Sequence, residues 1–435
     1  MHKKINDVMV IGFALFAMFF GAGNLIFPPY IGFQLGDKWF LGLMGFMLTG
    51  IGLPLLGIIT MAQHEGSFEN FAGKVGKAFA SGLYFAIVLC IGPLLAIPRT
   101  GATTYEMGIA PIMPDFNILT ASVIYFAINI YFTINRSKVI DNIGKILTPS
   151  LLLMLAVIII KGIIAPVGSF ASSNISNAFG RSFSEGYQTM DALASIVFAG
   201  IIINAVKERV YEKAKEKIKL TIISGLIAAL GLLFVYGGLM YLGATASTLF
   251  DGEIGKTALL ISIVEKELGS FGKVALGLAV SLACLTTSVG LTATSAEYFS
   301  RLTKNKISYK AMVVIISLFS ALIGAFGVEK IIKFSVPILV SVYPVVIVLI
   351  LMNAFSSFIK NERCYAYAAI FTLLISIVDG LSAAGLNLNK VYEAFYYLPF
   401  VKEGFAWVYM AMFGIMLGMI HSAFNKKLEK ENGLK

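Results

Sequence analysis

The densest group of ligating side chains in this sequence is a set of neutral oxygens. The stretch SLACLTTSVGLTATSAEYFS, residues 281–300, carries Ser281, Thr286, Thr287, Ser288, Thr292, Thr294 and Ser295, with no carboxylate before Glu297. Hydroxyls in an apolar helix usually bond the carbonyl one turn back. With free backbone carbonyls they can also replace the water around a hard monovalent cation such as sodium. A proton carrier needs a titrating group instead. Few are found in apolar surroundings: Arg99, Glu106, Asp191, Glu297 and Asp379, with Lys161 near the end of another run. The pattern tilts toward sodium.

Other chemistries lack their parts. His2, His64 and His421 fall at the ends of apolar runs or at the terminus, without a metal partner at helical spacing. Cys90, Cys284 and Cys364 sit singly in apolar runs and read as small hydrophobes, neither a disulfide framework nor a metal cluster. EIGKT, 253–257, imitates a phosphate loop, but Phe250 stands where the first glycine is required, so no nucleotide is expected. A membrane enzyme or sensor would need a nucleophile–base set, metal ligands or a soluble output domain. The sequence offers none, so no enzyme and no cofactor are expected, and transport would draw on an ion gradient.

The elements that position these residues are membrane helices. The chain is 58% hydrophobic and 13% charged, against about 25% charge in soluble domains. Twelve apolar runs are long enough to span, near 8–34, 39–63, 78–108, 117–135, 141–165, 187–206, 218–243, 272–299, 309–327, 331–358, 364–386 and 404–424. The longest polar connections fall near 166–186 and 244–271. The N-terminal run starts like a secretory signal but continues to about Phe33 without a small-residue cleavage site, so it is expected to be retained. With the N-terminus inside, twenty-three Lys and Arg face the cytoplasm and nine face outward, with Arg99 and Lys161 within spans. Both termini are therefore expected to be cytoplasmic, and the net charge of +10 reflects topology, not nucleic-acid binding. KERVYEKAKEKIK, 207–219, reads as a solvated helix extension with mixed charge.

Two runs break their own pattern. GAGNLIFPP, 21–29, puts two glycines, an asparagine and two prolines into the first span. In GYQTMDALASIVFAGIIINAV, 186–206, Asp191 and small residues fall where a span should be plainly apolar. The two lie five spans apart, as expected for inverted repeats whose first helices are both interrupted near the midplane. Opened backbone at that depth is tolerated where it lines a cavity or binds a ligand. A kink of purely structural origin is the alternative reading of either segment.

The blocks GAGNLIFPP, GIGLPLLG (50–57), GPLLAIPRTGATTYE (92–106), GYQTMDALASIVF (186–198) and LACLTTSVGLT (282–292) resemble the branched-chain amino acid:cation symporters of the BrnQ type. They stand in order over the first eight runs, and the twelve-span length fits the whole chain. The resemblance implies an all-α polytopic membrane protein of the leucine-transporter fold. It would be one transporter domain over 1–435, with repeats near 8–165 and 187–358 and two extra helices within 364–424. It also implies import of leucine, isoleucine or valine with sodium across a bacterial cytoplasmic (inner) membrane by alternating access.

Residue roles follow from that resemblance. Carbonyls near Ala17 and Phe20 would face one sodium, completed by the Ala283 carbonyl and the Thr286 and Thr287 hydroxyls. Asn24 matches an asparagine that supports a second sodium in some members of the fold, but no partner threonine is evident around Ala192–Ala194. Amide groups of Gly21, Ala22 and Gly23 would hold the substrate carboxylate at a half-helix N-terminus. Carbonyls near Phe19 and Ala194–Ser195 would take the ammonium group. Phe198, Ile91 and Leu95 would meet the aliphatic side chain, an environment that disfavours polar substrates.

The charged residues leave two readings open. An Arg99–Asp191 pair would close the external entrance, or it is a static pair at the mouth. In a proton-coupled version of the same fold, Asp191 or Glu297 would be the carrier. Asp379, outside the ten-helix core, reads as structural or as part of an oligomer face, and Lys161 as snorkelling to the interface.

Overall fold

A chain that crosses hydrocarbon has to satisfy its backbone internally, and a helix does so within one segment. Every regular element among the described residues is helical. The computed structural model describes residues 2–134, 139–207, 214–250, 254–359, 361–393 and 397–431. The expected solvated extension at 207–219 and the start of EIGKT lie partly outside the described residues, as do Arg136, Lys138 and Lys360.

The first apolar run forms α1 (His2–Phe19) and α2 (Ala22–Leu35). The second forms α3 (Trp39–Met47) and α4 (Leu53–Gln63), joined by a π-helical turn at Leu48–Gly52. After the short α5 (Phe68–Ala72), α6 (Lys77–Leu89) and α7 (Ala96–Thr104) flank another π-helical turn, Cys90–Leu94. Then come α8 (Ile118–Ile134), α9 (Val139–Ile164), α10 (Ala178–Glu185) and α11 (Asp191–Lys207). The long helices α12 (Ala214–Thr245), α13 (Lys256–Leu302), α14 (Tyr309–Gly324) and α15 (Val328–Ala354) follow. The chain closes with α16 (Glu362–Ala383), α17 (Asn389–Tyr392) and α18 (Ala406–Glu431). Seven helical stretches among the described residues are long and apolar enough to cross a bilayer, and others, including α8 and α14, are shorter apolar helices.

Apolar side chains point outward as well as inward. Leu119, Val123 and Ile124 on α8, Ile315, Leu318 and Leu322 on α14, and Met412, Met416 and Met419 on α18 are all exposed. Their spacing, mostly three and four residues, makes stripes on outer helices, surfaces that suit acyl chains and would aggregate in water. Polar groups turn inward. Asn129 Nδ2 donates to Thr292 Oγ1 (3.1 Å) and Ser317 Oγ (3.2 Å), tying α8 to α13 and α14. Such interhelical bonds in a membrane contribute about 0.6–2 kcal/mol each.

Glycine sets the closest helix contact near the centre. A Cβ on Gly32 would stand 1.9 Å from the Met240 carbonyl oxygen, and one on Gly243 1.8 Å from that of Pro29. Only hydrogen fits at either position, so α2 and α12 touch backbone to backbone. Phe16 meets Gly231, Asn24 meets Tyr236 and Gly32 meets Met240, so α12 runs side by side with α1 and α2 in the same direction.

The interruptions differ from expectation in three ways. Pro28 and Pro29, which help to mark the first run as interrupted, lie inside α2 and away from the break. The restart is set by Gly21, which is extended (φ −122°, ψ −165°) and donates its N–H to Asn24 Oδ1 at 3.1 Å, a capping interaction from the third helical residue. In the sixth span, α11 is unbroken from Asp191 onward. The break precedes it, where a 3-10 turn at Gly186–Thr189 is followed by Met190 in the left-handed region (φ 62°). That conformation costs a non-glycine residue about 1–2 kcal/mol. A third break was not expected: Gly92 (φ −96°, ψ −129°) and Leu95 leave helical geometry between α6 and α7. The connections expected to be polar hold helix too. α10 lies within 166–186, and α13 begins at Lys256 and bends at Gly269 (φ 67°) before its membrane portion.

Candidate functional site

The three breaks meet at one narrow cavity, with about 30 Å³ of water-accessible space. α1 contributes Phe19, the α2 start contributes Gly21, Ala22, Gly23 and Asn24, and the α11 start contributes Asp191, Ala194 and Phe198. Ile91 from the π-helical turn enters with Ala96, Arg99 and Thr100 of α7, while α13 presents Thr287 and Leu291. The last three α7 residues sit at i, i+3 and i+4, so a restart at Ala96 turns all of them to one side.

Where α1 stops, the carbonyls of Ala17, Met18, Phe19 and Phe20 have no amide one turn on to accept. Gly21, which would have served Ala17, is bonded to Asn24 instead. The Thr287 hydroxyl lies 3.4 Å from the Phe20 carbonyl oxygen and is oriented to donate to it. Thr286 bonds within its own helix, donating to the carbonyls of Ala283 (2.8 Å) and Leu282 (3.1 Å). Of the residues expected around a cation, the structure thus brings Phe20 and Thr287 together across two helices. Ala283 sits one turn back from Thr287 on α13 and Thr286 is its chain neighbour, while Ala17 is one turn back on α1. Only neutral oxygens are present there, a donor set that fits an alkali cation better than a transition metal. Among the described residues, no group of three or more His, Cys, Asp or Glu is placed to hold a metal ion.

At the start of α2 the amides of Ala22 and Gly23 have no intrahelical acceptor. The Gly21 amide, expected to be free for a carboxylate, is not, because Asn24 occupies it. Gly23 is shaped by a close approach: a Cβ there would fall 2.7 Å from Arg99 Nη2 and 3.2 Å from the Gln188 carbonyl oxygen.

The carbonyls of Ala194 and Ser195, expected to face an ammonium group, lie inside α11, whose own later amides take them. Ala194 still reaches the cavity wall through its side chain. The Ser195 hydroxyl donates to the Ala192 carbonyl at 2.7 Å and packs against Gly57 of α4, so it points away from the cavity. Leu95 is fully buried but is not on the wall. Phe19 and Phe198 meet edge to face, ring centroids 6.1 Å apart, and give the cavity an aromatic wall.

Asn24 and Asp191 belong to one buried network. Asn24 Nδ2 donates to Asp191 Oδ2 at 2.7 Å and also contacts the Tyr236 hydroxyl, and that hydroxyl donates to the same Asp191 oxygen at 2.9 Å. All three residues are buried. Tyr236, from α12, was not anticipated. The expected Arg99–Asp191 ion pair is not made; Arg99 Nη1 donates to the Gln188 carbonyl at 2.7 Å instead. Its guanidinium lies 5.6 Å from the Phe27 ring centroid, within cation–π range.

The remaining charged residues lie elsewhere. Glu297 pairs with Arg301 one turn along α13 on a partly exposed surface. Glu106 accepts from the Thr257 hydroxyl (2.7 Å) and the Val328 amide (2.8 Å), joining the starts of α13 and α15. Asp379 accepts from the Tyr392 hydroxyl.

The chain matches known proteins along nearly its whole length. The family profile described as "Branched-chain amino acid transport protein" matches residues 4–425. The branched-chain amino acid permease BraB of Bacillus subtilis (strain 168) is 41% identical over 433 residues, covering 97% of this chain and 96% of the permease. Among solved structures, MhsT in complex with L-phenylalanine superposes with a TM-score of 0.59 at 18% identity, covering 86% of this chain and 98% of MhsT. A Na+-coupled sialic acid symporter in a substrate-bound outward-open state gives a TM-score of 0.61 at 13% identity, over 96% of this chain and 90% of that one. At those identities the structural likeness establishes the fold alone.

Proposed function

Because the chain belongs to the branched-chain amino acid transport protein family, a family of multi-pass membrane transporters and not of enzymes, we propose that it imports leucine, isoleucine or valine together with sodium. The single observation that carries this reading is the opened backbone at Phe20–Gly21. It leaves α1 carbonyls on one side, near the Thr287 hydroxyl, and α2 amides on the other, facing a cavity with an aromatic wall. An amino acid and a small cation need those two kinds of group, and one break presents both. In this reading the Ala17 and Phe20 carbonyls, the Ala283 carbonyl and the Thr286 and Thr287 hydroxyls hold sodium. The Ala22 and Gly23 amides meet the carboxylate, and Phe19, Ile91 and Phe198 meet the aliphatic side chain. The permease likeness supports the substrate class, and the sialic acid symporter gives the same fold a sodium-coupled precedent.

Binding both ligands would favour closing the outer side and opening the inner one, an alternating-access cycle in which one helix bundle rocks against the other. The excess of Lys and Arg in alternate loops supports cytoplasmic termini in a bacterial inner membrane. The deciding experiment is uptake of labelled leucine by reconstituted protein, with sodium and pH gradients imposed separately. Uptake driven by sodium alone supports the reading, and uptake that follows only the pH gradient rejects it.

A proton-coupled version has one observation in its favour. Asp191 is a buried carboxylate on the cavity wall, so a titratable group is at the centre of the site. Glu297, the other carrier considered, is paired and partly exposed.

A further inference from the structure

The cavity wall carries one cation and one anion that make no direct salt bridge with each other. Arg99 is 3% exposed, and no carboxylate pairs with it among the described residues. Its Nη1 is committed to the Gln188 carbonyl, and its Nε is buried with no hydrogen-bond partner. The guanidinium lies against Gly23, beside the amides that open α2, so the charge and the helix N-terminus add at one place. A guanidinium held this way out of water is costly until an anion joins it. Asp191, also on the wall, directs one oxygen to Asn24 and Tyr236 and has no cationic partner within 4.0 Å among the described residues.

The geometry points to Arg99 as the receptor for the carboxylate of a zwitterionic amino acid, with Asp191 receiving its ammonium group. This rests on the transport reading above and deepens it, because it states which two charges the protein measures. An α-amino acid is neutral overall and completes both buried charges at once. An amine or a carboxylic acid with the same side chain leaves one of them bare, at the full desolvation cost of that group. Selectivity for amino acids over other leucine-like molecules then resides in Arg99 and Asp191, while Phe19, Ile91 and Phe198 select the side chain. Lysine is a poor replacement for Arg99, since it lacks the planar fork that meets both carboxylate oxygens.

The test is equilibrium binding of L-leucine, L-leucinamide and 4-methylpentanoate to the purified full chain at fixed sodium and neutral pH. Wild-type protein should bind leucinamide and 4-methylpentanoate ~100-fold more weakly than leucine. Arg99→Gln should weaken leucine ~30-fold or more while moving leucinamide by less than about threefold, and Arg99→Lys should restore part of the loss. Wild-type affinity for leucinamide equal to that for leucine overturns the assignment. So does an Arg99→Gln protein that loses both ligands equally, which is the signature of a merely structural arginine. If Arg99→Gln does not fold, the wild-type ligand series decides alone. Absence of leucine binding by the wild type rejects the transport reading itself, an outcome distinct from equal binding of leucine and its amide.

Discussion

Asn24 Nδ2 lies 2.7 Å from Asp191 Oδ2, so a single hydrogen bond joins the start of α2 to the start of α11. Both helices begin at a break in a membrane span. The bond therefore crosses between the two half-helices that frame the cavity, and the Tyr236 hydroxyl braces it from α12.

Substitutions in this network should separate charge from shape. Asp191→Asn keeps the size but removes the anion, and leucine uptake should fall to background at normal expression. Asn24→Ala should reduce uptake roughly tenfold or more, since a hydrogen bond to a charged group contributes about 1.5–3 kcal/mol. Uptake assays with quantified membrane expression check both, and full activity of Asp191→Asn would make the carboxylate a bystander.

The two threonines of α13 should differ. Thr287 reaches across to the Phe20 carbonyl, whereas Thr286 bonds back within its own helix. Thr287→Ala should raise the sodium concentration for half-maximal leucine uptake about tenfold, with a smaller change for Thr286→Ala. The double variant should lose sodium stimulation. Sodium titrations of uptake measure this, and unchanged sodium dependence in the double variant removes the cation site from α13.

Gly23 and Gly21 should respond to bulk by different amounts. A Cβ on Gly23 meets the Arg99 guanidinium and a backbone carbonyl, while one on Gly21 stands 3.3 Å from the Thr287 methyl group. Gly23→Leu should abolish leucine binding, whereas Gly21→Ala should be tolerated with at most a roughly tenfold loss. Normal binding by folded Gly23→Leu protein would place the substrate elsewhere.

The α2–α12 contact should be a stability determinant. Gly243→Val puts side-chain atoms into the Pro29 carbonyl and should cost about 1–3 kcal/mol. A thermal-melt comparison by size-exclusion chromatography reads this as a lowered midpoint in detergent. An unaltered midpoint would show that the helices can separate without penalty.

Much of this arrangement could be read from residue order. Long apolar runs announce membrane helices because hydrocarbon leaves the backbone few other choices, and glycine beside asparagine in the first run located the first break. The second break lies a few residues before the position that Asp191 suggests. Asp191 and its small neighbours drew attention to α11, while the actual opening at Met190 depends on a left-handed backbone that a methionine gives no reason to expect. The break in the third span has a local signal, since a Gly92–Pro93 pair inside an apolar run is turn chemistry. Tyr236 carried none: it is 212 residues from Asn24 in the chain and sits in an unremarkable apolar run. Its partnership arises from helix packing, which local pattern does not encode. The same limit explains Arg99, whose type and depth were plain but whose neighbour, the Gln188 carbonyl, is set by how α7 restarts.

The glycine contact between α2 and α12 has a mechanical consequence. Gly32 and Gly243 bring α2 and α12 backbone to backbone, so the Asn24–Tyr236 contact lies within a closely packed helix pair. Asp191 is carried by a different helix. In the alternating-access cycle proposed above, a movement of α11 against α2 and α12 would have to part the carboxylate from both of its donors.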